Sequence, residues 1–123
     1  MGRVIKFRGK NKSGKWIFGD LVHNRGWVYI APPGLRGPLA KAEDFEVDEN
    51  TVGQFVGIKD KDDTDIYEGD IVKHGDEISA VLYDEEYCEF YFFASDCEID
   101  SRCSKEYTVI GNIFDNPKLL KGE

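Results

Sequence analysis

Residues 54–73 read Gln54-Phe55-Val56-Gly57-Ile58-Lys59-Asp60-Lys61-Asp62-Asp63-Thr64-Asp65-Ile66-Tyr67-Glu68-Gly69-Asp70-Ile71-Val72-Lys73, two apolar strand patterns joined by a polar turn. β-branched and aromatic residues bounded by Asp and Gly are the mark of strands and turns. The run Lys59 to Asp65 is expected to be a turn held at the surface by its charge. Ile66-Tyr67 then re-enters the core. Glu68-Gly69-Asp70 predicts a tight turn in which Gly69 takes a positive φ and Asp70 bonds neighbouring amides before the strand Ile71-Val72-Lys73 begins.

Working outward, strand signals recur on both sides. Arg3 to Arg8, Trp16 to Val22 and Gly26 to Ile30 form a predicted N-terminal meander, with Ser13-Gly14 as its first turn. Thr51 to Ile58 is a predicted strand with Gly53 and Gly57 at bulge or close-approach positions. After Gly75-Asp76, the alternation of Ile78, Ala80 and Leu82 with Ser79, Val81 and Tyr83 predicts a strand buried mainly on one face. Tyr87 to Phe93 carries four successive aromatics and predicts a strand covered on both sides, with Cys88 inside it. Its second cover is expected from the N-terminal meander or from a second subunit. Tyr107 to Ile113 is the last predicted strand. Ala31 to Pro38 holds three of the four prolines and predicts a loop, and Leu39 to Phe45 is the one stretch with reasonable helix formers. About eight short strands and almost no helix predict an all-β fold: an N-terminal β-meander over 1–46, packed on an SH3-like β-barrel over 47–117, and a tail over 118–123.

Composition restricts the function classes. A chain of 123 residues with 41% apolar and 13% aromatic residues suits one folded globule. Cys88, Cys97 and Cys103 form no Cys-x-x-Cys pair, and no apolar signal or run of about 18 apolar residues occurs, so a soluble protein of a reducing cytoplasm is expected. No membrane association is expected. The net charge of −8 conceals an asymmetry: residues 1–41 hold nine Lys or Arg against Asp20, for +8, and residues 42–123 hold seven basic and 23 acidic residues, for −16. Either the two parts compensate each other, or the first offers a basic face to phosphate.

No constellation of catalytic groups stands out. Asp60, Asp62, Asp63, Asp65, Glu68 and Asp70 resemble a calcium loop in charge only: counted from Asp60, the sixth position is Asp65 where an EF-hand needs Gly, and the twelfth is Ile71 where it needs Glu. His23 and His74 have no ligand or triad partner at short spacing, and a zinc site from Cys97, Cys103 and a histidine has little to recommend it. Phosphate-cradling and acyl-transfer motifs are missing. No enzyme activity, metal, cofactor or small-molecule substrate is therefore expected. Two binding features remain. Lys10, Lys12 and Lys15 are expected to cluster around the first turn, and Trp27 and Tyr29 share one face of a predicted strand, either as core or as an aromatic anchor.

Three segments carry a resemblance to a known family. They are Ile5-Lys6-Phe7-Arg8-Gly9-Lys10 with Gly14-Lys15-Trp16 and Gly19-Asp20-Leu21; Val47-Asp48 through Thr51-Val52-Gly53-Gln54 into Gly57-Ile58-Lys59-Asp60-Lys61; and Ile66-Tyr67-Glu68-Gly69-Asp70-Ile71-Val72. Val109-Ile110-Gly111-Asn112-Ile113 with Asn116-Pro117 and Leu119-Leu120 makes a fourth. In these the chain resembles YopX-type proteins of bacteriophages and prophages. The turn Asp60-Lys61-Asp62-Asp63-Thr64-Asp65 departs from the Asn-Gly pair common in that family, which alters turn geometry and acidity. The resemblance implies an all-β protein with an SH3-like barrel, a phage or prophage source, a bacterial host cytoplasm and no established activity. It carries over no catalytic residue. The function expected on these grounds is noncovalent binding to a protein partner or to a second copy, ahead of binding to DNA or RNA through the basic N-terminal hairpin.

Overall fold

A computed structural model describes residues 4–32, 45–92, 97–98 and 106–121. The expected proline-rich loop from residue 33 on, the helix-forming stretch 39–44, Phe93 and Cys103 lie outside the described residues, as does the side chain of Cys97. The described residues are all-β: ten strands and two short 3-10 turns, Glu49–Thr51 and Pro117–Lys121. The strands are β1 (Phe7–Lys10), β2 (Trp16–Asn24), β3 (Trp27–Ala31), β4 (Gly53–Lys59), β5 (Asp65–Tyr67), β6 (Asp70–His74), β7 (Glu77–Asp84), β8 (Glu89–Phe92), β9 (Cys97–Glu98) and β10 (Thr108–Asn112). They form two antiparallel five-stranded sheets, ordered β3-β2-β1-β4-β5 and β10-β6-β7-β8-β9. The chain divides into two compact units, Met1–Phe55 and Val56–Glu123. Among the described residues no helix is long and apolar enough to cross a membrane.

In the first unit, β2 is paired with β1 through its first half and with β3 through its second, Phe7 opposite Gly19 and Asp20 opposite Ala31. The change of partner occurs at Gly19, whose φ is 152° and where a Cβ would stand 2.1 Å from the Ala31 carbonyl oxygen. Only glycine permits that approach. Arg25 and Gly26, at φ 53° and 86°, make a two-residue hairpin turn with the mirror-image geometry that suits strand twist. Residues 45–48 then tie the meander's outer strands together: Ile30 N donates to Phe45 O and Val47 N to Val28 O, and Asp48 N donates to Lys10 O, each at 2.9 Å. Thr51 Oγ1 locks this segment by accepting from Lys10 N at 2.9 Å and donating to Asp48 O at 2.6 Å. The enclosed core is made of Ile17, Val28, Ile30 and Val47, with Phe7, Leu21, Phe45 and Val52 at its margin.

The second unit has a core of Ile66, Val72, Val81, Phe92 and Tyr107. Phe92 and Tyr107 stack with ring centroids 4.2 Å apart, so Phe92 finds its cover within this unit. Gly69, at φ 93°, makes the expected tight turn; its N donates to Val81 O at 2.8 Å and its O accepts from Ile113 N at 2.9 Å. Asp70 is 2% exposed, and its Oδ2 accepts from Tyr67 N at 2.7 Å across that turn.

The structure corrects several expectations. The closed SH3-like barrel is not what the described strands make: both sheets are open, with β10 and β9 at the two ends of the second. The outer edge of β10 receives a side chain and single backbone bonds in place of a strand: Val109 N donates to Asp60 Oδ2 at 2.9 Å, and Lys61 N to Tyr107 O at 3.1 Å. β7 is buried on both faces at its centre, through Ser79, Ala80 and Val81, where one-sided burial was expected. Cys88 lies in the β7–β8 turn, exposed and at φ 55°, outside any strand. Here Asp84 Oδ1 accepts from Glu86 N at 2.9 Å, so four residues are taken up by the turn before β8 begins. The first strand starts at Phe7, leaving Val4 and Ile5 exposed.

Candidate binding surface

Alternation along the strands of the first unit sorts its side chains into two sets. Ile17, Val28 and Ile30 turn inward to the core, so the residues between them turn outward. The register then sets the outward residues side by side: Arg8 is opposite Phe18, Lys10 opposite Trp16, Val22 opposite Tyr29 and Asn24 opposite Trp27. The outward face of this meander therefore carries four aromatic rings. Trp27 is 56% exposed and Phe18 47%, whereas Trp16 and Tyr29 are half-buried.

The cations on this face are engaged with rings. The Arg8 guanidinium lies 4.7 Å from the Trp16 ring centroid and the Lys10 ammonium 5.7 Å from it, while the Lys6 ammonium sits 4.7 Å from the Phe55 centroid. Such contacts place a cation against the negative face of the ring and hold both in position. Arg8 is only 7% exposed. The expected cluster of Lys10, Lys12 and Lys15 is accordingly divided: Lys10 belongs to the strand and leans on Trp16, and Lys12 and Lys15 stand exposed in the β1–β2 turn. Asn11 organises that turn, its Oδ1 accepting from Ser13 N at 3.0 Å and Lys15 N at 2.9 Å.

Trp27 also borders a cleft of about 240 Å³ lined by Gly26, Val28, Val47, Glu46, Asp48 and Glu49. Asp48 Oδ1 accepts from Asn50 N at 3.0 Å, which caps the adjoining 3-10 turn. Among the described residues, none of the three carboxylates has an ion-pair partner. Trp27 and these acids thus lie together, next to the strand end that leads into the turn of Lys12 and Lys15. Trp27 and Tyr29 were legible in the sequence as a pair. Trp16, Phe18 and the acids of 46–49 were missed, because their place depends on the pairing of β2 with β1 and on the bridges that Glu46 and Val47 make to Tyr29 and Asn11.

The acidic stretch 60–70 behaves differently from a ligand loop. Asp60 is 5% exposed and its carboxylate is filled by backbone donors: Oδ1 accepts from Asp62 N at 2.8 Å and Thr64 N at 2.9 Å, and Oδ2 from Val109 N. Lys59 meets Asp63 and Asp65 at 3.8 Å, exposed pairs of little energetic weight. At the β7–β8 end, the Tyr83 phenol is raised above its ordinary value of 10.0, first by desolvation, then by the charge and hydrogen bond of Cys88, with Glu85 and Glu68 adding to it. Among the described residues no group of three or more His, Cys, Asp or Glu is placed to hold a metal ion. His23 and His74 are both exposed, the latter with its ring 5.3 Å from that of Tyr107.

Comparison with curated proteins finds no match for this chain. A family model described as YopX protein matches residues 6–121, from the turn into β1 to the last described 3-10 residue. The matched span includes every strand of both units and, but for Ile5, the four segments whose pattern suggested the resemblance, and the chain belongs to the YopX family.

Proposed function

We propose that this YopX-family chain is a binding module without chemistry of its own, and that it engages a protein partner through the outward face of its N-terminal meander. The observation that carries this reading is the exposure of Phe18 and Trp27 on a face already lined by Trp16 and Tyr29. Large apolar groups left exposed, with Trp, Tyr and Arg prominent, are the composition of protein-binding hot spots. The charge pattern favours protein over nucleic acid as well. Arg8 and Lys10 are occupied by the Trp16 ring, and the cleft beside Trp27 is lined by Glu46, Asp48 and Glu49, which repel phosphate. The alternative, DNA or RNA held by Lys10, Lys12 and Lys15, draws on the turn cations alone. Against catalysis stands the use of Asp60 and Asp70, the buried carboxylates among the described residues, as acceptors for backbone amides.

The same proposal includes a bacterial cytoplasmic setting, a phage or prophage source and a strand path of SH3-like type in the second unit. The last is supported by the way the β4–β5 turn reaches β10 through Asp60 and Lys61. The test is a photo-crosslinking amino acid at position 27, or at position 18, in cells expressing the full chain. Protein adducts are the expected result. Nucleic-acid adducts in their place, abolished by Lys10→Glu, Lys12→Glu and Lys15→Glu together, would transfer the assignment to the alternative; no adduct from either position would end the proposal.

A further inference from the structure

We propose that the cleft beside Trp27 receives an arginine side chain of the protein partner, its guanidinium stacked on the Trp27 indole and held at its rim by the carboxylates of Glu46 and Asp48. The inference rests on the reading of the meander's outward face as a protein-binding surface and names the group that this part of the face grips.

Backbone register brings the rings and the acids together. Segment 45–48 runs antiparallel to β3: Ile30 N donates to Phe45 O and Val47 N to Val28 O, each at 2.9 Å, and Glu46 bridges Tyr29. Carried one pair further, the same count sets Asp48 opposite Trp27. Residues opposite each other in an antiparallel pair turn to the same face, with Cβ atoms about 5 Å apart. Val28 and Val47 are buried, so Trp27, Tyr29, Glu46 and Asp48 turn outward, two rings beside two carboxylates. Trp27, Glu46 and Asp48 then line one cleft together with Glu49.

The chemistry of this arrangement asks for a cation. No basic residue lines the cleft, and among the described residues its carboxylates have no ion-pair partner and no cation lies over Trp27. The same meander shows what such a ring does when a cation is supplied: the Arg8 guanidinium lies 4.7 Å from the centroid of Trp16. Trp27 is the counterpart ring, 56% exposed, with acids beside it in place of a cation. A positive group laid there meets the negative face of the indole and the field of the carboxylates at once.

Geometry and size select arginine. Among the described residues no group of three or more acids is placed to hold a metal ion, so these carboxylates do not converge on one point charge. A guanidinium is broad, planar and weakly hydrated; it lies flat on an indole while five N–H donors project from its rim toward separate acceptors. A lysine ammonium is compact and strongly hydrated, and serves ring and acids together less well. The cleft's volume of about 240 Å³ falls below the roughly 300–1,000 Å³ of small-molecule pockets and suits a single side chain.

Titration of the full chain with N-acetyl-arginine amide at constant ionic strength, followed by the Trp27 indole N–H and the backbone amides of Val28 and Glu49 in nitrogen–proton NMR spectra, tests the inference. A saturable shift at these three groups is expected, with a dissociation constant on the order of 10 mM, as one ring contact and exposed charge pairs allow. N-acetyl-citrulline amide, the uncharged counterpart, should produce no saturable shift, and N-acetyl-lysine amide should bind at least about threefold more weakly. Glu46→Gln with Asp48→Asn, which keeps a capping oxygen at position 48, should weaken arginine binding at least about threefold, and Trp27→Leu should do the same at the Val28 and Glu49 amides. Glu49→Gln, at an exposed position, repeats the charge test if the double variant loses its spectral dispersion. Absence of a saturable shift, equal response to the citrulline or lysine probe, or shifts spread evenly over the acidic turn 60–65 overturns the inference. Such a result alongside protein adducts from position 18 leaves the binding-module reading standing, whereas a saturable arginine shift with no protein adduct from position 18 or 27 removes that reading and the partner with it.

Discussion

The two units differ in where their most prominent aromatic residues lie. In the first, the fully buried cluster is aliphatic, with Phe7 and Phe45 at its margin, and Trp16, Phe18, Trp27 and Tyr29 face outward; in the second, Phe92 and Tyr107 are stacked inside, among Ile66, Val72 and Val81, while Tyr83 and Tyr87 are exposed. The amino acids are of the same class and the strands of similar length. What differs is parity, because a strand turns alternate side chains to opposite faces and a displacement by one residue exchanges core for surface. An aromatic at an inward position contributes stability, and one at an outward position contributes a surface.

The sharpest way to break this contrast is to remove one ring from each set. Phe92→Ala should cost about 3–5 kcal/mol in chemical unfolding, because it deletes a fully buried ring and leaves a cavity beside Tyr107. Phe18→Ala, at a position 47% exposed, should cost less than about 1 kcal/mol while weakening the protein adduct formed from position 27. Equal destabilisation by the two changes would show that the outward face is packed as a core.

The polar groups repeat the contrast. In the first unit, Asp48 caps a local turn and its neighbours Glu46 and Glu49 remain turned to solvent around the Trp27 cleft. In the second, Asp60 is enclosed, and it joins the β4–β5 turn to β10 across 49 residues of sequence. Asp60→Ala leaves three amide donors without their acceptor, and should destabilise the second unit by about 2 kcal/mol. Amide exchange should accelerate at Val109 and Thr64 and remain unchanged at Ile17 and Val28. Uniform acceleration across both units would show that the carboxylate's effect is not local.

The smallest expected effect concerns Tyr83, the exposed aromatic of the second unit. Its phenol is raised by desolvation, by Cys88 and by Glu85 and Glu68. A phenol whose folded value lies above its unfolded one adds stability below the unfolded value of 10.0, and that contribution disappears as the pH climbs through the raised folded value. A residue-resolved NMR titration should therefore show the Tyr83 phenol ionising late, and Cys88→Ala should return it toward its ordinary value. A titration indifferent to Cys88 would mean that Tyr83 is governed by its contact with Phe90, whose ring lies 5.1 Å away.

Much of the fold was legible because it is local. Gly69 at φ 93° follows from the conformational freedom of glycine, and the strand segments follow from β-branched and aromatic runs between turns; Gly26, expected to open the third strand, sits at φ 86° in the hairpin turn before it. The sequence also identified Trp27 and Tyr29 as a pair on one face, since residues two apart must share it. It did not show that Trp16 and Phe18 lie on that same face, because this depends on the pairing of β2 with both β1 and β3. Cys88 was misplaced into β8 because an apolar residue in an aromatic run gives no sign of the left-handed backbone that the turn imposes on it.

From the amino-acid order alone came the all-β class, the positions of the principal turns, the charge asymmetry and the family pattern, all of which depend on neighbours in the chain. The tertiary structure alone decided which face of each strand is buried, that Asp60 holds the last strand, and that residues 46–49 come to rest beside the turn carrying Lys12 and Lys15. The physical reason is that a period of two distinguishes two faces without saying which of them meets water. That choice is made only when segments distant in sequence close around a shared core.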